Sequence, residues 1–289
     1  MRRPGLIVLA AALFAVLLAS GCGAATSDNP NLTMGNPSRA VADPAVPDNY
    51  LIANDYFALS YNSPNGTPNW VSWRLAKSDI GDADRTSFYA ASDLPAGFQV
   101  ITPSDYTNSG FDRGHMCPHA DRSASDAMSK STFVMTNIVP QSPTLNQQPW
   151  EELESYCRDL VRKGKVLYII SGPLGKGGTG SKGPAKAIGT ANTVTVPARC
   201  WKVIMVLRPG KANDAARVTS RTRLIAVVMP STMKVKTTWQ SYRVSVADVE
   251  KLTGYKLFNA VAPEIIDPLK RKVDRTRIPR KTRTHGGSD

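Results

Sequence analysis

In the tetrapeptide Asp112-Arg113-Gly114-His115 an imidazole stands close to a guanidinium, and an asparagine and a glutamate, Asn146 and Glu154, follow downstream. Histidine is the side chain whose neutral form is plentiful near pH 7, so it accepts a proton from water without an extreme pKa. A guanidinium beside it disfavours a second positive charge and keeps the ring neutral. Together these groups can cut a phosphodiester. Taken singly, each has a plainer use: a loop histidine, a capping or turn asparagine, and a surface ion pair between Glu154 and Arg158, one helical turn apart.

Such groups need a helix and a strand-rich body to position them. Pro149-Trp150-Glu151-Glu152 reads as a helix start, with proline in the first turn and carboxylates facing the positive end of the macrodipole. Trp150, Leu153, Cys157, Leu160 and Val161 then recur at helical spacing, and Arg162 and Lys163 close the last turn before Gly164. That stripe is core, and Glu154 and Arg158 lie off it. Alternation in Phe57-Leu59-Tyr61 and Val71-Trp73-Leu75 predicts an antiparallel hairpin. Further strands are expected at Val166–Ser171, Trp201–Leu207, Leu224–Met229 and Tyr242–Val244, and Ser245 with Asp248 makes a capping box for a helix ending at Gly254. Strands and helices do not alternate regularly, which favours an α+β fold over a doubly wound sheet.

From about Trp70 to Gly254 the chain resembles the DNA/RNA non-specific endonucleases, secreted metal-dependent enzymes with the ββα-metal, or His-Me finger, fold. The resemblance is carried, in order, by Trp70-Val71-Ser72-Trp73, Arg85 before Phe88, the DRGH block and Thr136-Asn137-Ile138 with Pro140-Gln141. It continues through Leu145-Asn146-Gln147, the helix bearing Glu154 and Arg158, Ser171-Gly172-Pro173, Trp201-Lys202-Val203-Ile204 and Tyr242-Arg243-Val244. It implies a central antiparallel sheet flanked by helices. It also implies that His115 is the general base and that Asn146 is the only side chain bound directly to a catalytic Mg²⁺, with Mn²⁺ as the alternative ion. Glu154 would hold water on that ion. Arg85, Arg113 and Arg158 would contact the phosphate, Asn137 would shape the site, and Asp112 would give local support. The expected products carry 5′-phosphate ends. Backbone-directed contacts carry little sequence information, so DNA and RNA, single- or double-stranded, are the expected substrates. The alternative class is a non-catalytic nucleic-acid-binding surface lipoprotein. A binder needs phosphate contacts but neither a base nor a metal-orienting amide, so the residues favour the nuclease.

His119 departs from the family pattern, and His115, Cys117 and His119 also read as an H-x-C-x-H transition-metal site. Against that reading, Pro118 disfavours helical geometry at Cys117 and no fourth ligand is evident; a phosphate contact is another use for His119. With Cys22 lipidated, Cys117, Cys157 and Cys200 allow one of three disulfides or none.

Arg2 and Arg3 precede an apolar run from Leu6 to Leu18, too short for a membrane span but suited to a signal peptide. Ala19-Ser20-Gly21-Cys22 resembles a bacterial lipobox. Residues 1–21 are therefore expected to be a lipoprotein leader, with Cys22 anchored in the membrane on its extracytoplasmic side; plain secretion after cleavage near Ala24 or Ala25 is the alternative. Residues 22–48 read as the lipidated cysteine and a flexible tether, 49–267 as one endonuclease domain, and 268–289 as a basic, disordered tail. The formal charge is +13, but two arginines lie in the leader and the tail carries eight basic against two acidic residues, which leaves the body at +5. The tail could add salt-dependent affinity for nucleic acid, or for anionic lipid.

Overall fold

The runs Val166–Ile170, Val203–Leu207 and Leu224–Met229 are apolar at every position because the sheet they help form is covered on both faces. The computed structural model describes residues 29–210 and 213–278. Its strands are β1 (Tyr50–Ala53), β2 (Ala58–Asn62), β3 (Thr67–Leu75), β4 (Asp112–His115), β5 (Ile138–Gln141) and β6 (Val166–Leu174). Four short ones follow, β7 (Gly178–Gly180), β8 (Gly183–Ala185), β9 (Ala187–Ile188) and β10 (Val194–Thr195), then β11 (Arg199–Leu207), β12 (Arg223–Pro230) and β13 (Arg243–Val244). The helices are α1 (Asp126–Ser131), α2 (Pro143–Leu145), α3 (Glu151–Arg162), α4 (Val246–Thr253) and α5 (Pro263–Lys270).

Seven strands make the central sheet in the order β1-β2-β3-β6-β11-β12-β13. Every pairing in it is antiparallel. The fold is α+β, as the irregular order of elements predicts. The expected hairpin is β2–β3, with Leu59 opposite Val71. The four further strands expected are β6, β11, β12 and β13. Successive side chains divide cleanly between the faces. Trp70, Tyr168, Ile170, Trp201, Val203 and Met205 meet α4, α5 and the N-terminal segment on one side. Leu59, Val71, Trp73, Ile169, Ile204 and Val227 meet Leu145, Trp150, Leu153, Cys157 and Val161 on the other. The α4 capping box forms as expected, and Gly254 closes that helix with a positive φ of 77°.

Three expectations are corrected. Residues 29–48 do not behave as a tether: Leu32, Met34 and Ala40 are buried, and polar contacts staple the segment to β3. Ser72 donates to the Asn31 carbonyl at 2.7 Å, the Arg74 N–H donates to the Asn31 side chain at 3.1 Å, and the Trp70 indole donates to Ser38 at 2.8 Å. The domain also does not end at 267. That boundary falls inside α5, and beyond it Leu269 is buried and Asp274 takes hydrogen bonds from Arg223 at 3.0 and 2.8 Å. Finally, the helix bearing Glu154 does not start at Pro149. It enters through α2, passes a π-helical turn at Asn146–Trp150 that contains Pro149, and continues as α3. Proline lacks an N–H and crowds the preceding turn, and the wider π turn absorbs it without ending the helix. The leader, Cys22 and the last residues of the tail lie outside the described residues. Among the described residues no helix is long and apolar enough to cross a membrane.

Cys117, Cys157 and Cys200 are buried and none is in a disulfide. Burial pushes the thiols of Cys157 and Cys200 up to about 12 and raises that of Cys117 as well. Burial raises the Asp274 carboxyl too, but the hydrogen bonds from Arg223 and Thr276 outweigh it and hold the group below the usual carboxylate range. A depressed carboxylate contributes stability above its unfolded pKa and loses it as pH falls through the folded one. Asp274→Asn is therefore expected to lose about 1.5–3 kcal/mol at pH 7 and much less near pH 3, as read from urea unfolding at both pH values.

Candidate active site

Four segments converge on one cleft: the β4–β5 ribbon, the loop between those strands, the stretch around Arg85, and the helix entered through α2. The ribbon is antiparallel, with Gly114 opposite Val139 and His115 opposite Ile138. A Cβ on Gly114 would lie 2.1 Å from the Gln141 side-chain oxygen, so the third position of the tetrapeptide is closed to any larger residue. Behind His115 the chain is held by buried Asn137. Its amide donates to the carbonyls of Cys117 and Thr132 at 2.9 and 2.8 Å and accepts from the Cys117 N–H at 2.9 Å. Asn137 thus ties the backbone at Cys117 to that at Thr132, and the cleft is lined by other residues.

The imidazole of His115 packs against the rings of Phe133 and Phe88, with centroids 5.0 and 5.2 Å away. The same rings carry two guanidiniums, Arg85 over Phe133 at 5.1 Å and Arg113 over Phe88 at 5.5 Å. Arg113 is fixed by donating to the Pro103 carbonyl at 2.7 Å. Among the described residues neither arginine has a carboxylate within ion-pair distance. Burial, with Arg85 and His119 nearby, lowers the His115 pKa to about 3. The ring is neutral across the whole neutral range, and its buried Nε2 makes no hydrogen bond.

Asn146 opens the π turn. Its Nδ2 donates to the Asp112 carboxylate at 2.9 Å, and Gln147 donates to the same oxygen at 2.9 Å. With the nitrogen engaged, the amide oxygen is the end left for a ligand. Asn146, Gln147, Glu151, Glu154 and Arg158 all line the cleft, while Trp150, Leu153, Cys157 and Val161 on the opposite stripe face the sheet. One oriented amide oxygen with carboxylates nearby fits a hard, hydrated cation that keeps most of its water. The H-x-C-x-H reading does not fit. Among the described residues no three His, Cys, Asp or Glu converge as a metal cluster. Cys117 is buried, and His119 Nε2 lies 3.0 Å from the Ala83 carbonyl.

Glu154 and Arg158 do not form a surface pair with each other. Glu154 Oε1 lies 2.8 Å from the Nζ of Lys202, a fully buried lysine on β11 whose ammonium sits 4.2 Å from the Trp150 ring centroid. Burial pushes the Glu154 carboxyl above its usual range, against the pull of Lys202 and Arg158. Arg158 is 3.1 Å from buried Asp121, whose other oxygen accepts the Trp73 indole N–H at 3.0 Å, and 3.7 Å from Glu151. Lys202 and Asp121 went unassigned in the sequence. The signal for Lys202 was its parity with Cys200 and Ile204, which points a charge into an apolar face; Asp121 gave none.

Two consequences can be measured. Lys202→Met leaves the Glu154 carboxylate buried and unpaired, and is expected to cost about 3–5 kcal/mol in urea unfolding; Lys202→Met with Glu154→Gln should recover most of that loss. For His115, an unfolded imidazole near pH 6.5 binds a proton that the folded one refuses. Stability is therefore lost as pH falls from about 6.5 toward 3, the folded value. His115→Asn is expected to flatten that fall in thermal melts between pH 4 and 7.

The profile of the DNA/RNA non-specific endonuclease family matches residues 35–264, beginning inside the N-terminal segment that packs on β3. A nuclease of Nostoc sp. is 42% identical over 277 residues, covering 91% of this chain and 96% of that protein. Human mitochondrial nuclease EXOG is 33% identical over 208 residues, 70% of this chain and 55% of EXOG. The crystal structure of the EndoG/EndoGI complex matches with a TM-score of 0.65 at 25% identity, over 81% of this chain and 92% of that one. A ββα unit docked on an antiparallel sheet, and a sequence alike along almost its whole length, have one explanation: the chain belongs to the DNA/RNA non-specific endonuclease family, hydrolases of the nucleic-acid backbone.

Proposed function

We propose that this endonuclease is an exported, magnesium-dependent enzyme in which His115 is the general base. The observation that carries the reading is a half-buried imidazole, neutral at physiological pH, whose Nε2 is unpartnered and whose ring packs on two phenylalanines that carry guanidiniums with no carboxylate within ion-pair distance among the described residues. A neutral imidazole accepts a proton from water as the water oxygen attacks phosphorus. The bond to the 3′ oxygen then breaks, leaving a 5′-phosphate and a 3′-hydroxyl that takes its proton from solvent. Arg85 and Arg113 meet the non-bridging oxygens as their charge grows, and Arg158, held by Asp121, adds a third guanidinium at the floor.

Asn146 would hold the cation through its amide oxygen, with Asp112 fixing the amide. When bound, Mg²⁺, or Mn²⁺ in its place, would supply positive charge that stabilises the leaving group. Glu154 would orient water on the cleft floor from its station beside Lys202. Contacts of this kind address the backbone and not the base edges, which supports cutting of both DNA and RNA, single- and double-stranded. Export rests on the leader and on Cys22 as a lipidated membrane anchor, and the basic tail would add salt-dependent affinity for the polymer.

The test is digestion of plasmid DNA and of an RNA by the chain without its leader, with Mg²⁺ and with EDTA. Cutting of both polymers, abolished by EDTA, is expected. His115→Ala should reduce turnover by about 10²–10⁴-fold with the fold intact by circular dichroism, and Asn146→Ala should raise the magnesium needed for half-maximal rate. Near-wild-type turnover in His115→Ala would remove the base assignment.

A further inference from the structure

We propose that the polymer runs out of the cleft over one side only, across a rim of five lysines that position it without touching the reacting atoms. The inference rests on the nuclease reading and extends it to the path of the substrate.

The rim is built from two loops. The β7–β8 hairpin and its flanks carry Lys176, Lys182 and Lys186, and the loop after β12 carries Lys234 and Lys236. All five are exposed. Residues 175–187 and 231–238 contain no Asp or Glu, and among the described residues none of the five lysines has an ion-pair partner.

Hydrogen bonds place both loops beside the Asn146 end of the cleft. The Ser181 N–H donates to the Gly110 carbonyl at 2.8 Å, just before β4 with its Asp112 and Arg113. The Lys182 backbone packs so close to Gly110 that a Cβ there would lie 2.9 Å away. The Ser142 N–H donates to Ser231 at 3.2 Å, and Ser142 and Thr144 lie 3.3 and 3.7 Å from the Met233 sulfur, one turn before Asn146. The Thr179 N–H donates to the Ser231 carbonyl at 2.8 Å and ties the two loops together.

The opposite rim has the other sign. Residues 82–93 carry Asp82, Asp84 and Asp93 with Arg85 as their one basic residue, while Asp79 just before them is paired with Arg122 at 3.5 Å. This stretch lies against His119 through the Ala83 carbonyl, at 3.0 Å. Asp82 and Asp84 are exposed. Charges act over roughly 8 Å at physiological ionic strength, so phosphates flanking the scissile bond feel attraction on the lysine side and repulsion on the aspartate side. The lysines are positioning residues, and they act on binding of the polymer, not on the bond being cut.

The experiment compares the wild-type chain with a variant in which all five lysines are glutamine. Substrates are long duplex DNA across a series of sodium chloride concentrations and the small diester bis(4-nitrophenyl) phosphate. KM for duplex is expected to rise at least tenfold with kcat within twofold. The slope of log kcat/KM against log salt should become shallower by about 0.9 for each phosphate that the variant no longer neutralises, and the small diester should be cut as before. Asp82→Asn with Asp84→Asn should leave KM for duplex unchanged or lower. An unchanged KM and salt slope in the lysine variant would overturn the proposal, as would an equal loss on the small diester. Failure of the wild type to cut any polymer with Mg²⁺ is a different result and counts against the nuclease mechanism itself.

Discussion

A single ammonium crossing the apolar interior registers the helix on the sheet. Lys202 leaves the middle of β11 among Cys200, Ile204 and Ile225, passes the rings of Trp73 and Trp150 at 5.6 and 4.2 Å, and ends on Glu154. Two charges buried together recover less free energy than a well-packed apolar pair of the same size. The contact therefore gives up stability and gains position. Apolar packing alone lets a helix slide or roll by fractions of a turn, whereas an ion pair at 2.8 Å does not. Once Glu154 is fixed, the next turn brings Arg158 onto Asp121, and Trp73 holds Asp121 from β3. The cleft floor is thus a chain of charges hung from the central sheet.

Above that floor the field is positive, and it acts in two ways at once. Arg85 and burial keep the His115 ring neutral, and the same uncompensated guanidiniums attract the phosphate that the ring must serve. Phe88 and Phe133 make this possible by supplying flat, apolar support to imidazole and guanidinium alike. A carboxylate in their place would raise the imidazole pKa and neutralise the anion site together.

Most of the sheet was legible because its determinants are local and periodic. Alternation marked β2 and β3, and Ser245 with Asp248 marked α4 through hydrogen bonds that span three residues. The residues gathered in the cleft were legible only by resemblance, since nothing local says that Arg85, His115 and Asn146 meet. The errors share a cause. Residues 29–48 look unstructured because single side chains such as Asn31 and Ser38 tie them to β3, with no periodic stripe to see. Asp274 holds the C-terminal segment in the same way. Pro149 imitates a helix start because sequence rules do not foresee a π turn that accommodates it.

The three cysteines have a further consequence. Each sulfur is enclosed in the core, keeps its proton at neutral pH, and is bonded to no other sulfur. Thiolate is the reactive form, so these groups are inert to exchange. Among the described residues, therefore, the packing of the core calls for no sulfur to be oxidised. That core is held the same way whatever the redox poise of the medium around it.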